Sequence, residues 1–307
     1  MRTLFRSLLA LLCFSAPLSA RTSALALPSL DRSAVAMASG EAGSFVTGLD
    51  ALGTNPAGLY ATRREWNATY RQMPLETNLS GTALGWPLLS IHTTLAVSYS
   101  ALRSADIEGR TLSGERAGSF QQEDQMIGLH GAHRFLWGEM EILGGASVKG
   151  IQSRIDRYSG SGFALDFGLK APLKKIPLTL ALSALNVGEG PKLIAERAAL
   201  PTAYGLSGTY RVAPPFALFG GVAYQPHQTI SNVTVGGEYR VGSLLAFRGH
   251  YAAGTGAEGN EGMGQLVGGM GIYFGKIRLD YTFQPAGEEL SDAGASATQH
   301  ATLTLEF

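Results

Sequence analysis

Six histidines and one cysteine are the residues whose chemistry would be easiest to recognise in this chain. His130 and His133 lie three apart, which would bring them together on a helix. On a strand the same spacing puts them on opposite faces, so no shared metal is expected. His92, His227, His250 and His300 show no ligand spacing. Asp280 or Glu306 could approach His300 across neighbouring strands, as an acid–base pair would require. No nucleophile accompanies them, so ion pairing is the reading carried forward. No Gly-x-x-x-x-Gly-Lys phosphate loop follows a strand. Cys13 lies inside an N-terminal apolar run. These residues argue for no enzyme, no metal and no cofactor.

Charged residues of another kind recur with a regular spacing. Asp166, Glu238, Arg248, Arg278 and Asp280 each sit between apolar neighbours one residue away on either side or on one side. Phe163, Leu165, Phe167 and Leu169 alternate with Ala164, Asp166, Gly168 and Lys170. Ile277, Leu279, Tyr281 and Phe283 alternate with Arg278, Asp280, Thr282 and Gln284. The chain ends on Ala301, Leu303, Leu305 and Phe307 against His300, Thr302, Thr304 and Glu306. A period of two is the strand signature, with one oily and one polar face.

Such stretches place strands near 66–71, 79–87, 93–102, 121–133, 140–152, 162–170, 178–185, 202–210, 216–224, 232–239, 244–251, 265–274, 277–284 and 300–307. That is about fourteen, an even number, as single-chain bacterial barrels have. The connections alternate in length. Leu88–His92, Arg134–Glu139, Ala171–Pro177, Arg211–Pro215, Arg240–Ser243 and Gly275-Lys276 are short. Arg103–Phe120, Asn186–Pro201, Ala252–Gly264 and Pro285–Gln299 are long and polar, while Gln72–Asn78 and Gln225–Ser231 break the rhythm. Short periplasmic turns and long outer loops give that alternation. Trp66, Tyr70, Tyr99, Tyr204, Tyr210, Tyr224, Tyr239, Tyr251, Tyr273 and Tyr281 fall near strand ends, where a membrane interface takes an apolar ring with a polar tip.

Composition agrees. Charged residues make up 16% of the chain and glycine contributes 40 residues. Both depart from ordinary soluble domains, which carry roughly 25% charged residues and about 7% Gly. The formal net charge is zero, which excludes bulk attraction to nucleic acid as a leading idea. Residues 1–26 read as a secretory signal: Arg2 and Arg6, then an apolar core, then small residues with cleavage after Ala20, Ala24 or Ala26. The mature chain is then free of cysteine. No later run of 18 apolar residues suggests a membrane helix. The reading is an all-β transmembrane antiparallel barrel over 66–307 in the bacterial outer membrane, since only a closed sheet pairs every amide in hydrocarbon.

Residues 27–65 follow another pattern, rich in small residues without a period of two. Asn55-Pro56 starts a turn, and a short helix is expected near Ala51 or earlier. The segment could plug the lumen or hang below it. Its Asn55-Pro56-Ala57-Gly58-Leu59 run resembles a motif of PorV/PorQ-like proteins of the FadL-type outer-membrane barrel superfamily. Asn186-Val187-Gly188, Leu200-Pro201, Gly236-Gly237-Glu238-Tyr239 and Asp280-Tyr281 resemble further family motifs in the same order. Members often carry paired acidic residues before the Asn-Pro motif, where this chain has only Asp50.

The resemblance implies passive transport of small hydrophobic molecules through a plugged barrel, with Asn55 to Leu59 as the hatch motif. Its alternative implication is a scaffold or shuttle in type IX protein secretion. Outer-membrane lipid and the barrel-assembly machinery are expected partners, the latter through a C-terminal signal formed by Leu303, Leu305 and Phe307. Secretion proteins or hydrophobic small molecules complete the set; nucleic acid is not among them. The inward charges either line a path or pair with one another.

Overall fold

The computed structural model describes residues 27–30, 32–40, 42–110, 113–138, 140–193, 196–226, 230–255, 261–286 and 297–307. Its strands are β1 (Glu65–Met73), β2 (Thr77–Leu88), β3 (Thr93–Arg103), β4 (Ile107–Arg110), β5 (Arg116–Phe120), β6 (Gln122–Trp137), β7 (Met140–Ile155), β8 (Tyr158–Pro172) and β9 (Leu178–Glu189). They continue as β10 (Lys192–Leu193), β11 (Glu196–Arg197), β12 (Ala203–Ala213), β13 (Phe216–Gln225), β14 (Ile230–Val241), β15 (Leu245–Thr255), β16 (Glu261–Phe274), β17 (Ile277–Gln284) and β18 (Thr298–Glu306).

Fourteen of these form one closed antiparallel barrel, in which each strand pairs with its chain neighbours and β1 closes on β18. The two remaining pairs, β4–β5 and β10–β11, are hairpins within outer connections. The first lies within the long, polar connection expected over Arg103–Phe120, where the β4–β5 pairing and an Arg116–Glu108 ion pair of 2.8 Å give it structure.

Burial shows why these sequences close a barrel and not a sandwich. Along β8, Phe163, Phe167 and Leu169 are exposed while Ala164, Asp166, Gly168 and Lys170 are buried. Along β17, Ile277, Leu279, Tyr281 and Phe283 are exposed while Asp280 and Thr282 are buried. Oily residues outside and polar residues inside invert the soluble pattern, and lipid is the solvent that stabilises that arrangement. Tyr273 departs from the expected aromatic girdle. It shares the inward parity of Val267 and Gly271 on β16, and its hydroxyl accepts a hydrogen bond from Arg248.

The β1 start, the β18 end and the short turns share one end of the barrel, which we call inner; the longer connections share the other. One outer connection is a two-residue turn, Asp156-Arg157, with Asp156 at a φ of +53°. Where β8 meets β9 the register slips between Leu165 and Phe167. Asn186 takes a φ of +56° there, a left-handed conformation that Asn tolerates better than most residues.

The N-terminal segment runs through the lumen from the outer end to the inner end. A five-residue helix (Ala34–Ala38) and three 3₁₀ turns (Leu27–Ser29, Gly48–Gly53 and Pro56–Leu59) carry it. Ser33 and Asn55 cap the helix and the last turn by accepting from the amides of Ala36 and Ala57. Between the two possibilities left open for this segment, the structure has it inside.

Candidate functional site

The plug is held by contacts that differ along its length. At the outer end Leu27 packs with Leu79, Leu102, Met126, Ile151, Ala164 and Leu200. At the inner end Leu49, Leu52 and Leu59 pack on Ala83, Ala96 and Ala132 of the wall. Small wall residues are needed because the plug backbone comes close. A Cβ on Gly168 would stand 2.0 Å from the Asn55 Oδ1, and one on Gly145 would stand 2.3 Å from the Pro56 carbonyl carbon. No side chain fits at that range. Asn55 reaches the wall itself: its Nδ2 donates to the carbonyls of Leu169 (3.1 Å) and Leu182 (3.0 Å). Ala57 sits buried against Gly145, while Gly58 and Leu59 continue the turn inward.

The inward charges pair with one another. Arg248 bridges Glu238 and Asp280, each at 2.7 Å, with all three side chains no more than 5% exposed. Arg278 pairs with Asp280 at 2.6 Å and with Asp50 of the plug. Asp50, five residues before Asn55, is therefore the plug's ionic contact with β17. Asp166 pairs with Lys149 at 2.7 Å and accepts from the Asn186 amide at 2.8 Å. Asn186 in turn donates to the carbonyls of Pro28 (3.0 Å) and Pro201 (3.2 Å). Lys149 was missed in the sequence, although it shares the inward parity of Ser147 and Ile151. Lys170 donates to the Val46 carbonyl at 2.8 Å.

Four of the described histidines, His130, His133, His250 and His300, make structural hydrogen bonds. His130 faces inward between Ser98 and Ser147, at 2.8 Å from each, while His133 faces outward against Thr93. His300 bonds Thr69 at 2.6 Å. Neither acid approaches it: Asp280 holds its two arginines and Glu306 pairs with Arg63 at 2.8 Å. His227 lies outside the described residues, as does the whole stretch 1–26. Among the described residues no group of three His, Cys, Asp or Glu could hold a metal.

Beside the plug, on the β12–β16 side, a cavity of about 590 Å³ occupies the outer part of the lumen. Its wall is made of small inward residues, Ala203, Gly205, Gly221 and Ala223 among them. Met37, Gly40, Ala42 and Gly43 of the plug form its floor. Amides from Gln225, Asn232, Gln265 and Gln284 stand at the outer strand ends, and Arg71 and His250 add polar groups. Nothing in the sequence marked these residues, because small residues also suit tight strand packing.

A fourteen-strand barrel with an N-terminal plug and a lumenal cavity defines the class. No protein-family model matches the sequence, and no curated protein matches it significantly. Solved structures do match its fold. The CymD monoaromatic hydrocarbon channel is 13% identical with a TM-score of 0.62, covering 90% of this chain and 97% of that one. The Pseudomonas putida toluene transporter TodX is 11% identical with a TM-score of 0.61, covering 89% and 96%. A Pseudomonas aeruginosa FadL homologue is 11% identical with a TM-score of 0.52, covering 88% and 95%. The fold is that of FadL-type channels.

Proposed function

We propose that this chain is an outer-membrane channel for passive uptake of small hydrophobic compounds, with residues 27–60 as its gate. The observation that carries the reading is the 590 Å³ cavity bounded by the plug. A cavity of about 150 Å³ already accepts benzene, so a monoaromatic compound fits with room to spare. The likeness to hydrocarbon channels supports the same ligand class. A compound would enter past the amides, shed water over the small wall residues, and leave when the plug shifts.

The test is uptake of a labelled monoaromatic hydrocarbon by vesicles holding the purified protein. Ala223→Trp, which fills the cavity from the wall, is expected to lower uptake several-fold with the barrel intact. Uptake by the wild type no faster than by empty vesicles would reject the proposal.

Localisation follows from the same reading. Residues 1–26 act as the export signal, and Leu303, Leu305 and Phe307 as the assembly signal; on β18 the two leucines face outward, and Phe307 is exposed at the inner end. The mass of the mature chain tests the first, and assembly of a Phe307 deletion tests the second. PorV/PorQ-like kinship rests on the order of motifs, several of which meet at the plug: Asn55, Asn186 and Leu200. The secretion scaffold is a further implication of that kinship, and no contact among the described residues favours it over transport.

A further inference from the structure

The outer face of the barrel is not uniformly bulky. Outward positions on β6 to β9 include Gly131, Gly144, Ala146 and Ala184, which leave a groove of about 600 Å³ beside Phe135, Phe167 and Leu169. These are adjacent in register: Gly131 lies opposite Ala146, Ala146 opposite Phe167, and Phe167 opposite Ala184. Elsewhere the lipid-facing side of β6 carries Ile127 and Leu129, each more than 60% exposed. The groove is a local absence of side chains; outward Gly237, Gly249 and Gly268 form a second such run in register on β14–β16, and the groove beside Phe135, Phe167 and Leu169 lies at the first.

Two lysines give the groove a direction. Lys174 and Lys175 are exposed in the inner turn that joins β8 to β9, the strands bearing Leu169 and Leu182. They follow Leu169 by five and six residues, about 17–20 Å of extended chain at a rise of about 3.3 Å per residue, or roughly 13–15 Å along the membrane normal for strands tilted about 40°. Half of a hydrocarbon core is also about 15 Å. The half-buried Glu141 shares the parity of inward residues such as Leu143 on β7, away from this face. An apolar slot with two cations one leaflet-depth below it matches an anionic lipid, with its acyl chain in the slot and its phosphate at the lysines.

We propose that the β6–β9 groove binds one acyl chain of an anionic phospholipid of the inner leaflet, with Lys174 and Lys175 holding the headgroup phosphate. The proposal rests on the membrane-embedded reading of the barrel. The groove and the plug motif lie back to back, with only the backbone at Gly145 and Gly168 between the groove and Asn55-Pro56.

The experiment uses the mature chain in nanodiscs of equal phosphatidylglycerol and phosphatidylethanolamine, extracted gently and weighed by native mass spectrometry. One retained phosphatidylglycerol is expected. It should be lost in Ala146→Trp, which fills the groove, and depleted several-fold in the Lys174→Glu/Lys175→Glu double variant. No retained lipid, retention without headgroup preference, retention unchanged in both variants, or a protein dimer lost in Ala146→Trp would each overturn the proposal. Gel migration before and after boiling is read on the same samples. A heat shift without lipid overturns only the lipid site, whereas absence of a shift overturns the membrane reading beneath it.

Discussion

The two sides of the lumen hold the plug by opposite means. On the β7–β9 side the wall gives up its side chains at Gly145 and Gly168, so that Asn55 and Pro56 lie against backbone, while Lys170 and Asn186 on the same side add bonds to the plug carbonyls of Val46 and Pro28. On the β14–β17 side the wall projects long charged side chains, and Glu238, Arg248, Asp280 and Arg278 form a chain of pairs ending on Asp50 of the plug. The glycine contact around Asn55 excludes volume and depends on shape. The chain of pairs excludes unpaired charge and depends on every partner being present. The cavity opens on the β12–β16 side, beside the bonds of Ser44 to Ser207 and Thr209.

That contrast can be broken at graded cost. Arg248→Met leaves Glu238 and Asp280 buried without their shared partner. Removing one member of a buried pair costs about 3–5 kcal/mol, so the temperature at which the unboiled band disappears should fall most in this variant. Gly168→Val comes next. Overpacking costs about 1–3 kcal/mol, and here the strain falls on Asn55, so ion conductance across a planar bilayer should rise as the plug is displaced. Asn55→Ala removes two bonds to wall carbonyls and a cap, each worth about 1 kcal/mol. Asn55→Asp is expected to be no better, because a carboxylate cannot donate to Leu169 and Leu182; heat stability of the Asn55→Asp variant equal to that of the wild type would refute that contact. Gly150→Val should be the mildest. Nothing stands within 4 Å of a Cβ there, and any shift in heat stability comparable with Gly168→Val would undo the claim that proximity to the plug decides which glycines matter.

The wall was largely legible in the sequence. Each of the fourteen stretches of period two overlaps one barrel strand, because lipid outside and a polar lumen inside impose a strict alternation. The strands run further than the alternation suggested: β7 and β8 continue to Ile155 and Tyr158, where pairing persists beyond the oily region that produces the signal. The plug's Asn-Pro motif was legible as a turn, but its role depends on glycines about 90 and 113 residues later. The charges were visible one by one, yet Asp50 and Arg278 are 228 residues apart. Only closure of the sheet and the course of the plug bring them together. Lys149 escaped because Leu143, Gly145 and Ile151 share its inward parity and blur the polar face that alternation would otherwise reveal.

The most direct test of the gate uses the absence of cysteine after residue 13. Ser44 on the plug and Thr209 on β12 have hydroxyl oxygens 2.8 Å apart, so Ser44→Cys/Thr209→Cys can form a lone disulfide that staples plug to wall. Uptake of a labelled monoaromatic hydrocarbon is measured in vesicles before and after reduction. The account predicts slow uptake while the staple is oxidised and recovery when it is reduced. Equally fast uptake in both states would contradict a plug that must move for the compound to pass.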